Sequence, residues 1–174
     1  GTNDFIIDGN TATDLPELVI ADTASATLTG FLVVGSSRQG KLTIEAGGVV
    51  SNNNLGNIAY SSGSTGEVTV VGTGSQWTNS SISTISGYLR VGGAGSGTLN
   101  IIGGGVVTNT EAILAEEPGS TGTVTVSGVG STWTIPGDLY IGKLGSGSMN
   151  ITDSGAVQVG GTARLYADST MNIE

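Results

Sequence analysis

One long stretch of the sequence occurs twice. It reads Gly63-Ser-Thr-Gly-Glu-Val-Thr-Val-Val-Gly-Thr-Gly-Ser-Gln-Trp-Thr78 and again Gly119-Ser-Thr-Gly-Thr-Val-Thr-Val-Ser-Gly-Val-Gly-Ser-Thr-Trp-Thr134. A shorter relative, Gly95-Ser-Gly-Thr-Leu-Asn-Ile101, recurs as Gly145-Ser-Gly-Ser-Met-Asn-Ile151. Each copy joins a glycine turn to a strand of alternating apolar residues. The chain is therefore expected to fold from repeats and not around one irregular core.

Apolar pairs with one residue between them recur along the whole chain. They are Leu18/Ile20, Leu42/Ile44, Val68/Val70, Leu99/Ile101, Val124/Val126, Met149/Ile151 and Met171/Ile173. Successive pairs lie about 25 residues apart, the period of a solenoid in which each repeat buries its apolar face only against its neighbours. The sequence thus predicts one coil per repeat.

Two further short strands accompany each pair. The first-strand positions are predicted at Leu32–Val34, Ile58–Tyr60, Leu89–Val91, Leu114–Glu116, Leu139–Ile141 and around Leu165. The third-strand positions are predicted at Gly48–Val50 and near Trp77, Val107, Trp133 and Val157. The predicted fold is an all-β, right-handed parallel β-helix (β-solenoid) of about seven coils with three short strands each, right-handed because crossovers between parallel strands favour that hand. It forms a single domain over residues 1–174, with an irregular first coil at 1–30 and regular coils at 31–174.

Composition limits the classes of function. The chain carries a net charge of −9, five basic residues and no histidine, so the phosphate backbone of a nucleic acid would be repelled. It has no cysteine, which excludes disulfides and thiolate metal ligands. Without an apolar run of membrane-spanning length or a signal-like start, no membrane insertion of this segment is expected, and any targeting segment lies outside it.

The one longer interval places about six extra residues just after Trp77. Insertions in solenoids lie in loops on the outside, often on the binding face. This loop is predicted as a contact surface, the alternative being a surface loop without function. Its candidate residues are Ser80, Ser81, Ile82, Ser83, Thr84 and Ile85.

A polar stripe is predicted on the outer face of the second strands. Its residues are Thr43, Thr69, Asn100, Thr125 and Asn150. Asn side chains and Thr hydroxyls both donate and accept hydrogen bonds, which favours self-association of identical stripes. Lys41 and Glu67 interrupt the neighbouring column, which disfavours ice binding. The alternative is that Thr is simply a good polar strand former.

The sequence offers little catalytic chemistry, since nucleophile–base arrangements built on His or Cys are unavailable. A paired-carboxylate glycosidase is the remaining enzymatic option. The carboxylates considered are Glu116 and Glu117, with Glu111 nearby, and Glu45, Glu67 and Asp153 elsewhere. Glu116 and Glu117 precede Pro118 and are expected to be solvated turn charges. No catalytic, metal or cofactor site is predicted, and Trp77 and Trp133 are expected in the core.

The repeat blocks resemble those of bacterial autotransporter passenger regions. The likeness rests on Gly-Ser-Thr-Gly-(Thr/Glu)-Val-Thr-Val, on Gly-x-Gly-Ser-x-Trp-Thr and on Gly-Ser-Gly-x-(Leu/Met)-Asn-Ile, and it covers roughly Leu32 to Asn172. Such proteins are right-handed β-helices exported across the outer membrane, with roles in adhesion and cell–cell aggregation.

The resemblance implies that this chain is a fragment of a longer surface protein. The expected function is a non-catalytic, stiff rod for adhesion, self-association or fibre formation at the bacterial cell surface, and the alternative is a glycan-processing hydrolase or lyase. Expected partners are molecules on host or neighbouring cells, or identical modules, including end-to-end homo-oligomers.

Overall fold

A computed structural model of the protein describes residues 4–11, 13–80 and 87–174. Regular secondary structure in these ranges consists of short strands, and no helix occurs among the described residues. The strands form three parallel sheets, here named A, B and C. An all-β architecture of parallel strands confirms the predicted fold class.

The three sheets have the following strands in stacking order. Sheet A contains Phe5–Ile7, Leu32–Val34, Gly56–Ile58, Tyr88–Val91, Glu111–Leu114, Leu139–Ile141 and Ala163–Leu165. Sheet B contains Glu17–Ile20, Gln39–Ile44, Thr65–Val71, Ser96–Ile102, Thr121–Ser127, Ser146–Thr152 and Thr170–Ile173. Sheet C contains Ser25–Leu28, Val49–Asn52, Gln76–Asn79, Val106–Asn109, Thr132–Ile135 and Ala156–Val159.

The chain visits sheets A, B and C in turn and then returns to sheet A one strand further along. This order makes six complete coils and two strands of a seventh. At a spacing of about 4.8 Å between strands, the stack is roughly 30 Å high. The first coil pairs with the second through all three of its strands, in the register Phe5↔Leu32, Leu18↔Leu42 and Ala26↔Val50.

The apolar pairs of sheet B form the centre of the core, as the sequence predicts. Leu42 pairs with Val68, Val68 with Leu99, and the same file continues to Met149. All the pairs from Leu42/Ile44 to Met149/Ile151 are buried. Each strand therefore contributes one apolar side chain to each of two continuous columns. These columns are buried only because the coils stack on one another.

Two predicted first strands are wrong by two residues. The strands of coils three and five end at Ile58 and Leu114, where Val34↔Ile58 and Leu114↔Ile141 pair across the sheet. They do not extend to Tyr60 and Glu116, because the next residue in each case has a left-handed backbone. Sheet A strands end at such a residue repeatedly: Gly35, Ala59, Gly92, Ala115 and Gly142 all have positive φ.

Trp77 and Trp133 fill the corner between sheets C and A, which confirms the prediction that they are core residues. They are 1% and 0% exposed. The Trp77 indole Nε1 donates to Asn52 Oδ1 at 2.9 Å, and the Trp133 indole Nε1 donates to Asn109 Oδ1 at 2.6 Å. A buried indole thus finds its acceptor on an asparagine of the preceding coil.

A row of buried asparagines, Asn52, Asn79 and Asn109, occupies one register position of sheet C. The Asn52 amide donates to Asn79 Oδ1 at 2.8 Å. Each amide also donates to a backbone carbonyl where the chain turns into sheet A, at Leu55, Tyr88 and Glu111 respectively. The row therefore satisfies backbone oxygens that the turn would otherwise leave unpaired.

Asp8 holds the first turn between sheets A and B. Its carboxylate accepts from the backbone N–H groups of Ser36, Ser37 and Arg38 at 2.9–3.2 Å and from the Ser37 hydroxyl at 2.8 Å. One coil further on, the equivalent N–H groups donate to backbone carbonyls of the preceding coil, as Tyr60 N does to Gly35 O. A side-chain carboxylate in the first coil thus replaces backbone acceptors.

Candidate functional site

The predicted stripe lies on the outer face of sheet B. Thr43, Thr69, Asn100, Thr125 and Asn150 follow one another at one register position on adjacent strands. They are half-buried and not fully exposed, because in a column each side chain is shielded by the one above and the one below. We call these five residues the sheet B stripe.

Hydrogen bonds within the stripe are sparse. The Asn100 amide lies 3.5 Å from Thr69 Oγ1, a long contact. At the ends, Thr43 Oγ1 donates to Glu17 Oε1 at 2.9 Å and the Asn172 amide donates to Asn150 Oδ1 at 2.8 Å. Amide and hydroxyl groups in the middle of the stripe therefore have bonding capacity toward an external partner.

The inserted loop after Trp77 begins at a residue that the structure fixes. Ser80 donates from its backbone N–H to Asn52 O at 2.9 Å and from its hydroxyl to Asn53 Oδ1 at 3.1 Å. The predicted contact residues Ser81, Ile82, Ser83, Thr84 and Ile85 lie outside the described residues. The contact role of this loop stays a prediction.

Glu116 lies in the turn after the coil-five strand, as the sequence predicts, but it is not a solvated charge. Its Oε2 lies 2.6 Å from Arg90 Nε and its Oε1 lies 3.7 Å from Lys143 Nζ, with the Glu116 side chain 17% exposed. The Arg90 Nε–H group is not aligned with this oxygen for a hydrogen bond, so the contact is an ion pair without a hydrogen bond. Two cations from neighbouring coils draw this carboxylate against the sheet, whereas Glu117 is exposed as expected.

The remaining carboxylates considered from the sequence stay apart. Glu45 follows the sheet B strand of coil two, Glu67 lies on the sheet B strand of coil three, and Asp153 follows that of coil six. Asp153 accepts from the Ser127 hydroxyl at 2.8 Å. Glu67 pairs with Lys41, which lies four residues before Glu45 on the adjacent strand. Asp153 lies three coils beyond Glu67, so these three groups share no substrate position.

Glu111 and Asp138 occupy matched positions on adjacent coils, immediately before the aligned residues Ala112 and Leu139. Burial, then the charge of Asp138, raises the pKa of Glu111, partly offset by Lys143. A backbone N–H of Thr162 and the Tyr140 hydroxyl lower the pKa of Asp138. The sheet A strand predicted for coil five is displaced by two residues, so the sequence did not indicate that Glu111 and Asp138 are neighbours.

Asp138 already has structural partners. Its Oδ1 accepts from Thr162 N at 2.7 Å and its Oδ2 from the Tyr140 hydroxyl at 2.8 Å. Among the described residues, no group of three or more His, Cys, Asp or Glu side chains could hold a metal ion. Asp138 thus first of all fastens coil six to coil seven.

A cleft runs across the outer face of sheet A. Because side chains alternate along a strand, the residues between the inward-pointing core positions face outward. Ile6, Val33, Asn57 and Arg90 are four such residues on four successive coils, and all line the cleft. Its two adjoining parts have volumes of about 300 and 380 Å³ and share Tyr60 and Arg90.

We call this the sheet A cleft, defined by Ile6, Val33, Asn57, Tyr60, Arg90 and Glu116. Val33 is 8% exposed although it points away from the core, so the floor is well covered. Tyr60, by contrast, is 52% exposed at the junction of the two parts. Its backbone is fixed by the bond from Tyr60 N to Gly35 O at 2.9 Å.

Asn57 is the unusual residue of the cleft. It is 3% exposed, and its side-chain oxygen makes no hydrogen bond to any residue in the described ranges. Its neighbours across the sheet are Val33 on one side and Arg90 on the other. A buried polar group without a partner costs about 1–3 kcal/mol, and such groups in folded proteins often mark functional positions.

Sequence reasoning missed this cleft. Asn57, Arg90 and Glu116 belong to different coils and lie far apart in the sequence. Only the correct register of sheet A brings them to one face. The available signal was Asn57, a polar residue at the register position where the two preceding coils carry Ile6 and Val33.

No protein-family model, curated protein or solved structure matches the chain. Within the described ranges there is also no helix with the length and hydropathy needed to cross a membrane. The function is therefore inferred from the geometry of the solenoid and its surfaces.

Proposed function

We propose that the chain is a non-catalytic structural and adhesive module of a bacterial cell-surface protein, exported across the outer membrane. The observation that carries the proposal is the matched register of the three parallel sheets over six coils, which stacks outward Thr and Asn side chains at one position of sheet B. The resemblance of its repeats to autotransporter passenger regions supports the location and the adhesive role.

The sheet B stripe is the proposed surface for self-association. Its central hydroxyl and amide groups can bond the stripe of a second module, and repeated weak contacts add up when many copies are displayed together. The partners are identical modules or molecules on host or neighbouring cells. A stack of coils resists bending, so the same surface can be held away from the cell.

Bead aggregation tests this proposal. Modules coupled in many copies to beads should clump the beads, and the double variant Asn100→Lys, Thr125→Lys should abolish clumping by charge repulsion between stripes. The matched control is Thr108→Lys, Thr134→Lys, which alters two half-buried outward threonines at paired positions of sheet C on the same two coils. Clumping that survives the stripe variant, or is lost equally in the control, contradicts the stripe as the contact.

A second candidate function is glycoside hydrolysis at Glu111 and Asp138. The observation in its favour is that neighbouring carboxylates have pKa values shifted in opposite directions, raised for Glu111 and lowered for Asp138, as an acid and its partner require. The two hydrogen bonds already held by Asp138 argue for a structural role. Assay on a broad glycan panel decides: activity abolished by Glu111→Gln would establish the enzyme.

A further inference from the structure

We propose that the sheet A cleft binds a neutral oligosaccharide chain. This inference rests on the proposed adhesive function and names a ligand class for it, at a surface separate from the sheet B stripe. The cleft meets four requirements of such a site: an unpartnered buried acceptor, an exposed aromatic ring, a polar pair that can bond hydroxyl groups, and sufficient length.

The acceptor is the side-chain oxygen of Asn57, which lies at the cleft floor without a hydrogen-bond donor. A sugar hydroxyl or an acetamido N–H is a donor of suitable size. Arg90 borders the amide across the sheet, with its side chain 25% exposed. Its long side chain must turn aside for a ligand to reach the oxygen, so binding is expected to rearrange the Arg90–Glu116 ion pair.

The aromatic ring is that of Tyr60. It stands half-exposed where the two parts of the cleft meet. Aromatic side chains offer a rigid apolar surface with a polar tip, which suits the C–H face of a pyranose flanked by hydroxyls. Val33 and Ile6 continue the apolar surface toward the first coil.

Charge selects a neutral ligand. Asp4, Glu116 and Glu117 line the cleft, and Arg90 is the one basic side chain among its lining residues, with Lys143 contacting Glu116 from beside it. Carboxylates therefore outnumber cations, and uronate or sialate groups would meet repulsion. Hydroxyl groups can bond both members of the Arg90–Glu116 pair.

The length and position of the cleft favour a glycan over an extended peptide. From Ile6 on coil one to Glu116 after the coil-five strand there are four coil steps, roughly 19 Å, which accommodates several sugar units. A peptide that adds a β-strand needs a free sheet edge. Here the surface is a sheet face. The strands that carry Val33, Asn57 and Arg90 are already paired on both sides, and of the strands in the cleft only the terminal one, which carries Ile6, has a free edge among the described residues.

Saturation-transfer NMR on the 174-residue chain tests the proposal with cellotetraose, maltotetraose, mannotetraose and N-acetylchitotetraose, and with tetragalacturonate as the acidic probe. At least one neutral tetrasaccharide should bind. Tyr60→Ala and Asn57→Leu should each weaken that binding at least about tenfold. The controls are Tyr166→Ala, a tyrosine outside the cleft, and Asn10→Leu, an exposed asparagine outside both the cleft and the sheet B stripe.

Stability separates recognition from a structural role. Asn57→Leu removes an unpartnered buried oxygen and keeps the volume, so the variant should be as stable as the parent or more stable while losing the sugar. A thermal midpoint lowered by Asn57→Leu, with sugar binding intact, would assign the residue to the fold and overturn the proposal.

Several other results overturn the proposal: no binding of any neutral probe, equal binding of tetragalacturonate, capture of an extended peptide instead, or binding that survives both cleft variants. The bead-clumping assay distinguishes failure of the sheet A cleft as a sugar site from failure of the proposed adhesive function. Beads that clump through the sheet B stripe without binding any sugar would refute the cleft alone. Absence of both would refute the adhesive module as well.

Discussion

At the scale of single residues, the buried asparagines show how a β-solenoid with few aromatic side chains defines its corners. Asn109 accepts from the Trp133 indole and donates to the Glu111 carbonyl within one buried site. Asparagine looks like a turn residue in the sequence, and several here are. The burial of Asn109 depends on the indole that the neighbouring coil supplies. The position of an asparagine along the chain therefore does not indicate whether it is buried.

Replacement of Asn109 by Ala should therefore be costly. It leaves the Trp133 Nε1–H and the Glu111 carbonyl without partners, and each unsatisfied buried group costs about 1–3 kcal/mol. The urea unfolding midpoint should fall accordingly. Asn150→Ala removes the same side chain from the outer face and should change stability by no more than about 0.5 kcal/mol; equal losses in both variants would argue against the buried pair.

The hydrogen bonds of the Asp8 carboxylate predict that the turn it holds is sensitive to acid. Partial burial pushes the pKa of Asp8 upward, but the Ser37 hydroxyl and the N–H groups of Arg38, Ser37 and Ser36 outweigh it and hold the pKa below its usual value of 3.8. A lowered folded-state pKa means that the stabilisation is complete above the unfolded value and is lost as the pH falls through the folded value.

Thermal midpoints measured at a series of pH values check this sign. The parent chain should lose stability as the pH falls below about 4, and Asp8→Asn should lose less over the same interval because it has no carboxylate to protonate. At neutral pH the variant should be the less stable of the two. Parallel curves for the parent and Asp8→Asn would contradict the assignment.

At the scale of strands and turns, the repeat pattern in the sequence was sufficient to place the strands of sheets B and C, although the strand predicted at Gly48–Val50 runs over Val49–Asn52. The alternation of Leu42/Ile44 and its successors sets the inward face, and a shift by one residue would turn every apolar side chain outward. The prediction for sheet A was wrong in coils three and five, because Ala59 and Ala115 take the left-handed position that glycine takes in coils two, four and six.

The displaced alignment also explains why the Glu111/Asp138 pair and the sheet A cleft were missed. In the displaced alignment Tyr60 and Glu116 belong to strands, whereas in the structure they belong to turns beside the outward Asn57 and Arg90. A pair such as Glu111/Asp138, or a cleft spanning several coils, exists only in the correct register. Strand identity could be predicted from the sequence, but cross-coil neighbours required the turn geometry.

The turns make a prediction that separates backbone strain from lack of space. Gly92 and Gly119 have similar positive φ values of 75° and 79°. A Cβ at Gly92 would collide with the Thr121 carbonyl of the next coil, whereas a Cβ at Gly119 would meet nothing within 4 Å. Gly119→Ala should cost about 1–2 kcal/mol for the left-handed backbone alone.

Gly92→Ala should cost at least about 2 kcal/mol more than Gly119→Ala, because the neighbouring coil must move away. Chemical unfolding of the two variants beside the parent measures the difference. Similar unfolding midpoints for the two variants would mean that the coils separate easily at Gly92. This result would contradict the close contact between Gly92 and the Thr121 carbonyl of the next coil.

At the scale of the whole molecule, the apolar column is open at both ends of the described stack. An apolar cavity of about 200 Å³ lies at the first coil, between Phe5, Leu18 and Leu28. On the last strands, Met171 is 37% and Ile173 70% exposed. We propose that copies of the 174-residue chain associate end to end through these surfaces, since exposed β-edges and apolar ends recruit further strands.

Sedimentation at increasing concentration tests end-to-end association. The parent chain should form oligomers whose size grows with concentration, and Met171→Glu should abolish them by placing a charge on the apolar end. Thr170→Glu, which adds the same charge to an outward residue of the same strand, should leave them in place. A parent chain that stays monomeric at high concentration would refute the proposal.

The matched register of alternate coils has a consequence for how such a molecule can change over generations. Thr65 and Thr121 take the same place, two coils apart, and both lead into the same Gly-x-Val-Thr-Val strand. A deletion that joins Gly66 directly to Thr123 would recreate a junction that already exists in the chain, and a duplication would do so equally. Height can therefore be gained or lost in steps of two coils by recombination between nearly identical stretches, while the surfaces at either end are inherited unchanged.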